Sequence, residues 1–230
     1  IANDSTIPII KSSQLSIGFT FKKKNWLINV DNFYKKINGI TSKSQGFQNQ
    51  LEFVRINGDY TIFGTELLIQ KQFKKFTTSV NYSFSQNDYQ FDSFTPTIFP
   101  NNFEINHSLL WNAIYDFKNL KVALGTKWFT GKPTTLPTNS TSFLTTQEIE
   151  YQQPNSTNIE NYFQLNFSSS YSIKMKEKTK FQIGFSIQNI LNKDNITNTY
   201  FRINKNTSTI EQVNNKSLKL TPNVNLRYFF

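Results

Sequence analysis

Apolar residues recur at every second position from one end of this chain to the other, the pattern of strands with one greasy and one polar face. Leu15, Ile17, Phe19 and Phe21 alternate with Gln14, Ser16, Gly18 and Thr20. Trp26, Ile28 and Val30 follow, with Leu27, Asn29 and Asp31 between them. A third strand sets Phe63, Thr65, Leu67 and Ile69 against Gly64, Glu66, Leu68 and Gln70. A fourth sets Phe76, Thr78, Val80, Tyr82 and Phe84 against Thr77, Ser79, Asn81, Ser83 and Ser85. Further strands are predicted over Leu109 to Phe117, Val122 to Trp128, Phe163 to Ile173 and Phe181 to Ile187. The last places Leu218, Leu220, Val224, Leu226, Tyr228 and Phe230 on one face and Lys219, Thr221, Asn223, Asn225 and Arg227 on the other. That makes nine strands. Ile196 to Ile203, which contains TNTYFRI, is left out of that count as a segment able to pair locally above the membrane.

The connections alternate as well. Short links lie near 22–25, 73–75, 118–120 and 174–179, and long polar ones near 36–60, 87–104, 131–160 and 193–216. Bacterial outer-membrane barrels have short periplasmic turns and long extracellular loops, whereas a soluble β-sandwich has no reason for such asymmetry. The final strand leaves a long loop, so it descends and ends in the periplasm. Nine strands with the last descending put residue 1 outside the cell. They also leave two open edges, which lipid cannot satisfy. The expected fold class is therefore all-β: a transmembrane antiparallel β-barrel segment completed by residues outside this sequence.

Composition sharpens that picture. Phe occurs 23 times and aromatics are 16% of residues, yet mean hydropathy is negative. No apolar run approaches the roughly 18 residues of a membrane helix. Trp26, Tyr34, Tyr115, Phe117, Trp128, Tyr171, Tyr228 and Phe230 lie toward strand ends, where aromatic girdles meet the interfaces. Net charge is +10, but the lysines cluster in the short links, at Lys22–Lys24, Lys74–Lys75 and Lys174 to Lys180. With no recognition helix or basic stripe, nucleic acid is not an expected partner. The start IANDSTIPII has no basic n-region or apolar h-region, so no signal peptide is read there.

Candidate chemistry is sparse. Cys is absent and His107 is the only His. Asp88 and Asp92, on the neighbouring strand's upper end, are the acids that could activate water with it. No phosphate loop, zinc cluster or nucleophile elbow is present, so neither a cofactor nor an enzyme activity is expected. Asp31, Glu66, Asp116, Lys127, Lys219 and Arg227 are expected to face the lumen. Asn139-Ser140-Thr141 reads as a chance glycosylation triplet in a chain so rich in Asn and Ser. The ending LTPNVNLRYFF, with Val224, Leu226, Tyr228 and Phe230 at alternate positions, looks like an insertion signal read by barrel-assembly machinery through strand addition. Pro222 falls near the upper end of that strand, where a lost ladder donor is tolerable.

Several segments resemble the C-terminal barrel of TonB-dependent receptors. They are FYKKINGITS (33–42), GTELLIQKQFKKFTTSVNYSFSQNDYQF (64–91), FEINHSLLWNAIYDF (103–117), WFTGKPTT (128–135) and QNILNKDNITNTY (188–200). The resemblance implies a 22-stranded barrel of which these are strands 14 to 22, residues 1–230 forming its C-terminal part with no plug. It implies uptake of a scarce nutrient (siderophore, glycan, peptide or similar), captured by the long loops and the plug of the parent protein. The implied location is the outer membrane of a Gram-negative bacterium. Implied partners are outer-membrane lipid, the missing N-terminal barrel and plug, the assembly machinery, the TonB complex and a surface lipoprotein. A passive porin-type channel, or a barrel subunit of a secretion or assembly complex, would share the strand pattern.

Overall fold

A computed structural model describes residues 9–42, 56–138, 148–176 and 179–230. The triplet Asn139-Ser140-Thr141 and much of the 36–60 and 131–160 links lie outside those residues. Among the described residues fourteen strands are formed: β1 (Lys11–Lys23), β2 (Trp26–Thr41), β3 (Asn57–Gln72), β4 (Phe76–Gln90), β5 (Ile98–Pro100), β6 (His107–Phe117) and β7 (Leu120–Phe129) come first. β8 (Pro133–Thr134), β9 (Thr157–Asn158), β10 (Tyr162–Lys176), β11 (Thr179–Gln188), β12 (Ile196–Asn204), β13 (Thr209–Lys216) and β14 (Thr221–Phe229) follow. Nine of them make one antiparallel path in the order β1-β2-β3-β4-β6-β7-β10-β11-β14, with β5 beside β4. The nine expected strands are all there. The path is open, with β1 and β14 at its two ends.

Pairing register assigns every side chain to a face, because residues opposite one another in antiparallel strands point the same way. Phe19 opposes Val30, Val30 opposes Leu67 and Leu67 opposes Tyr82. This greasy row continues through Leu109, Trp128 and Phe163 on β6, β7 and β10. The other face carries Gly18, Asp31, Glu66 and Ser83 in one row, and Lys127, Gln164 and Asn166 further along. An exposed sheet face of Leu, Ile, Phe and Trp this extensive has no place in water. Polar groups that interrupt it are in part paired across strands. Thr65 Oγ1 donates to Asn32 Oδ1 (2.7 Å) and Trp111 Nε1 to Thr78 Oγ1 (3.0 Å). That is what lipid exposure demands of buried donors.

Two short turns are two residues long. Each places a lysine at positive φ, Lys24 and Lys118, both at 52°, a conformation that costs a non-glycine residue about 1 kcal/mol. At the opposite end β2, β3 and β4 run well past the greasy band. There the polarity of the faces inverts. Lys36, Asn38, Thr61, Asp59 and Asp88 now occupy the outward row, while Ile37, Tyr60 and Tyr89 point inward. With water on both sides, the inward side chains make their own core: Ile40, Tyr89, Phe91, Phe94 and Phe99 are buried there, with Ile37, Ile56 and Tyr60 packed against them. A bulge between Asn38 and Ile40 sets this register, with Gly39 at φ 81°. Gly58 lies under the Phe91 ring and has no room for a Cβ.

The last strand departs from expectation at its start. β14 begins at Thr221, so Leu218, Lys219 and Leu220 are not part of the ladder. Their groups hold the preceding loop instead: Leu218 O accepts from Asn189 Nδ2 (3.2 Å), Leu220 N donates to Asn192 Oδ1 (3.1 Å), and Lys219 pairs with Asp194 (2.9 Å). Lys219 is thus a loop cation and not a lumen one. The Ile196 to Ile203 segment pairs locally, as β12 with β13, away from the main sheet.

Candidate functional site at the long-loop rim

Three long links meet at the same end of the sheet. Buried asparagine amides fix each of them, because an amide can stand in for a missing backbone partner as donor and acceptor at once. Asn195 does so beside β10, accepting from Phe163 N (2.9 Å) and donating to Phe163 O (2.9 Å). Asn189, fully buried, donates to Lys193 O and Leu218 O and accepts from Lys193 N. Asn155 donates to Pro100 O and Asn102 Oδ1, both at 2.7 Å, and so ties the β8–β9 region to the link between β5 and β6. The WFTGKPTT stretch is held likewise: Gly131 N donates to Asn161 Oδ1 (3.1 Å) and Gly131 O accepts from Asn158 Nδ2 (3.0 Å). Gly131 packs so close to the Ile159 backbone that no Cβ fits.

These anchors leave a cavity of about 100 Å³ among Asn102, Phe103, Lys132, Tyr151, Asn155, Asn198, Tyr200 and Phe201. Among its described lining residues the one cationic group is Lys132, whose Nζ lies 5.9 Å from the Phe103 ring centre. Burial holds the Lys132 ammonium below its ordinary pKa and pushes the Tyr151 phenol up. The cavity can therefore accept hydrogen bonds, donate them, stack an aromatic face and attract one negative charge. Sequence reasoning had only the loop ranges; the side chains that line the cavity come from three links distant in the chain.

His107 is not brought together with Asp88 or Asp92 in this structure. Its Nδ1 is 2.8 Å from the Tyr82 hydroxyl and its ring packs on Phe84, on the outward face. Asp88 lies four residues beyond Phe84 along β4 and accepts from Gln86 Nε2 (2.8 Å), while Asp92 accepts from Gln90. A strand rises about 3.3 Å per residue, so Asp88 is on the order of 13 Å from the imidazole. Among the described residues no three of His, Cys, Asp or Glu converge as a metal site.

Register puts Asp31, Glu66, Asp116, Lys127 and Arg227 on the inward face. Asp31 directly opposes Glu66, two like charges side by side, while Asp116 is 3.5 Å from Lys121. Val224, Leu226 and Tyr228 sit on the outward face against Phe185, Ile183 and Phe181, and the Phe230 ring stacks on Tyr228 at 6.2 Å.

The sequence matches the model of the family described as TonB dependent receptor-like, beta-barrel, over residues 8–190. The chain belongs to the TonB-dependent receptor β-barrel family. That is a receptor and transporter family of the Gram-negative outer membrane, so the greasy face is the lipid face and the long-loop rim is extracellular. Searching the curated proteins by sequence gives no match. Among solved structures, the ferric-catecholate import receptor Fiu from Escherichia coli K12 aligns with TM-score 0.59 at 14% identity, over 100% of this chain and 29% of its own. The FrpB iron transporter from Neisseria meningitidis (F3-3 variant) aligns with TM-score 0.62 at 12% identity, over 96% and 30%. The outer-membrane transporter YddB from Escherichia coli gives 0.57 at 10%, over 97% and 32%. The chain thus spans about three-tenths of the length of these transporters. At such identities the likeness is one of fold.

Proposed function

We propose that these strands are the C-terminal part of a 22-stranded barrel, closed by further strands and filled by a plug from outside residues 1–230, in a receptor that imports a scarce nutrient with energy from the TonB complex. What supports the reading is the open sheet of a family barrel with one unpaired strand edge at each end of the path and an anchored cavity at the extracellular rim. Fiu is a ferric-catecholate import receptor and FrpB an iron transporter, which puts a chelated metal, beside a glycan or peptide, in the class of cargo. In this reading the inward Asp31–Glu66 pair faces the plug, and a basic group there would relieve the repulsion. Val224, Leu226, Tyr228 and Phe230 act as the assembly signal. Lipid, the assembly machinery and a surface lipoprotein are the remaining partners.

Uptake by cells expressing the full-length receptor tests this. A radiolabelled cargo should enter only while the inner membrane is energised, and Asn155→Ala or Tyr200→Ala should weaken capture at the surface. Uptake that continues after the proton gradient is collapsed would make the protein a passive channel and remove the proposal.

A further inference from the structure

The two rims of the sheet differ in charge. At the extracellular rim acids such as Asp59, Asp88, Glu104 and Asp194 mix with lysines. At the periplasmic rim each of the four short turns, with its adjoining strand ends, carries at least two lysines, and Asp116 is the single acid among their described residues. It is already tied to Lys121. Nearly all of that rim's positive charge is therefore uncompensated within the described chain.

The lysines are also placed, and not merely present. Lys71 Nζ sits 4.2 Å from the Trp26 ring centre, Lys75 Nζ 4.9 Å from Phe117 and Lys118 Nζ 5.7 Å from the same ring. Trp26 and Phe117 belong to the outward, lipid-facing row by register. Cation–π contact draws the ammonium groups onto those rings and so toward lipid, at the depth of the lower aromatic girdle. None of the three pairs with a carboxylate among the described residues. An ammonium held at that depth meets the phosphate layer of the periplasmic leaflet.

We propose that Lys71, Lys75 and Lys118, seated on Trp26 and Phe117, form a docking rim for anionic phospholipid headgroups of the periplasmic leaflet. The phosphodiester accepts from the ammonium groups while the acyl chains lie along the greasy row above, which fixes the depth of the barrel. The inference rests on the membrane-spanning family fold and is independent of any cargo. Each such lysine is worth up to about a fivefold preference for an anionic over a zwitterionic lipid.

The test uses the full-length receptor in phosphatidylcholine vesicles, with spin-labelled phosphatidylglycerol and spin-labelled phosphatidylcholine as probes. Electron spin resonance reads the share of each lipid immobilised at the protein surface. The wild type should prefer phosphatidylglycerol several-fold, less so in high salt. K71Q/K75Q/K118Q should lower the ratio several-fold, K71R/K75R/K118R should keep it, and K205Q at the opposite rim should leave it unchanged. If the triple glutamine variant does not insert, K75Q alone should still lower the ratio by a readable amount. A wild-type ratio of one, or a preference undiminished by the loss of all three charges, overturns the proposal. So does an acidic periplasmic protein that binds the wild type but not the glutamine variant while the lipid ratio stays the same, since the rim would then be a protein-docking surface.

Discussion

Leu67 and Leu68 are neighbours on β3, and turning each into arginine separates the two faces of the sheet at one depth. Leu67 lies between Val30 and Tyr82 in the greasy row, Leu68 between Asn29 and Asn81 in the polar one. Along β3, Leu67 is four residues from Phe63 toward the extracellular end and four from Lys71 toward the periplasmic end. At roughly 3.3 Å per residue that is about 13 Å each way, or about 10 Å of depth at the usual tilt, so Leu67 sits near the bilayer midplane. An arginine there costs about 2–4 kcal/mol, a factor of about 150 in the folding equilibrium at the middle of that range. An arginine at Leu68 enters the polar face two residues from the carboxylate of Glu66 and should change stability by less than about 1 kcal/mol. Guanidinium unfolding of the full-length receptor in phosphatidylcholine vesicles, followed by tryptophan emission and the heat-modifiable gel band, measures both. Equal losses, or a larger loss for Leu68→Arg, would refute the face assignment.

Converting Tyr228 and Phe230 to Ser should lower the heat-modifiable fraction in outer-membrane extracts, whereas Asn225→Ser on the inward face should do little; equal insertion would reduce the tail to an ordinary strand. Phe91→Ala empties the centre of the rim core and should cost about 3–5 kcal/mol locally, read as protease cleavage between β4 and β5 with the membrane band intact. Glu104 is buried and accepts from Asn87 N (2.7 Å), and its burial raises the carboxyl pKa. A raised pKa means the folded form holds its proton longer, so the link is most stable below about pH 4.5 and loses stability as pH rises through the raised folded value. Glu104→Gln should match wild type in thermal unfolding at low pH and exceed it above that window; a constant difference would refute the burial cause. Lys219 and Lys216 hold the exposed Asp194 carboxyl below its ordinary value. That clasp is complete above the unfolded aspartate range and fails as pH falls through the lowered folded value, which pepsin cleavage at Leu218 and Leu220, normalised at each pH to an unfolded substrate, should register as faster digestion at the acid end.

The membrane band was legible because lipid imposes one rule on every outward residue. Phe19, Val30, Leu67, Tyr82 and Leu109 obey it in phase across five strands. Above the band the rule lapses, and the same strands continue with the opposite phase: Lys36, Asp59 and Asp88 outward, Ile37, Tyr60 and Tyr89 inward. A reading that waits for apolar residues at the original parity therefore ends β2 too early and starts β3 too late. The inverted alternation was in the sequence as the one available signal. Leu218 and Leu220 have the right parity for β14, but Asn189 and Asn192 claim their backbone groups first. The anchoring asparagines themselves were indistinguishable from other polar residues, since what marks Asn155 and Asn195 is partners 53 and 32 positions away. His107 gave a false lead because a lone histidine near acids in sequence says nothing of which face each occupies.

The sheet spans the membrane with its long loops outside and its short turns in the periplasm. This chain has no cysteine, so single cysteines can be placed in it without background from its own residues. Thr207→Cys lies in the turn between β12 and β13, and Asn119→Cys in the turn between β6 and β7. Intact cells making the full-length receptor are treated with a maleimide-polyethylene glycol too large for porins, before and after the outer membrane is permeabilised. The account predicts a gel shift for Thr207→Cys in intact cells, and for Asn119→Cys only after permeabilisation. Modification of Asn119→Cys in intact cells, or protection of Thr207→Cys there, would contradict it.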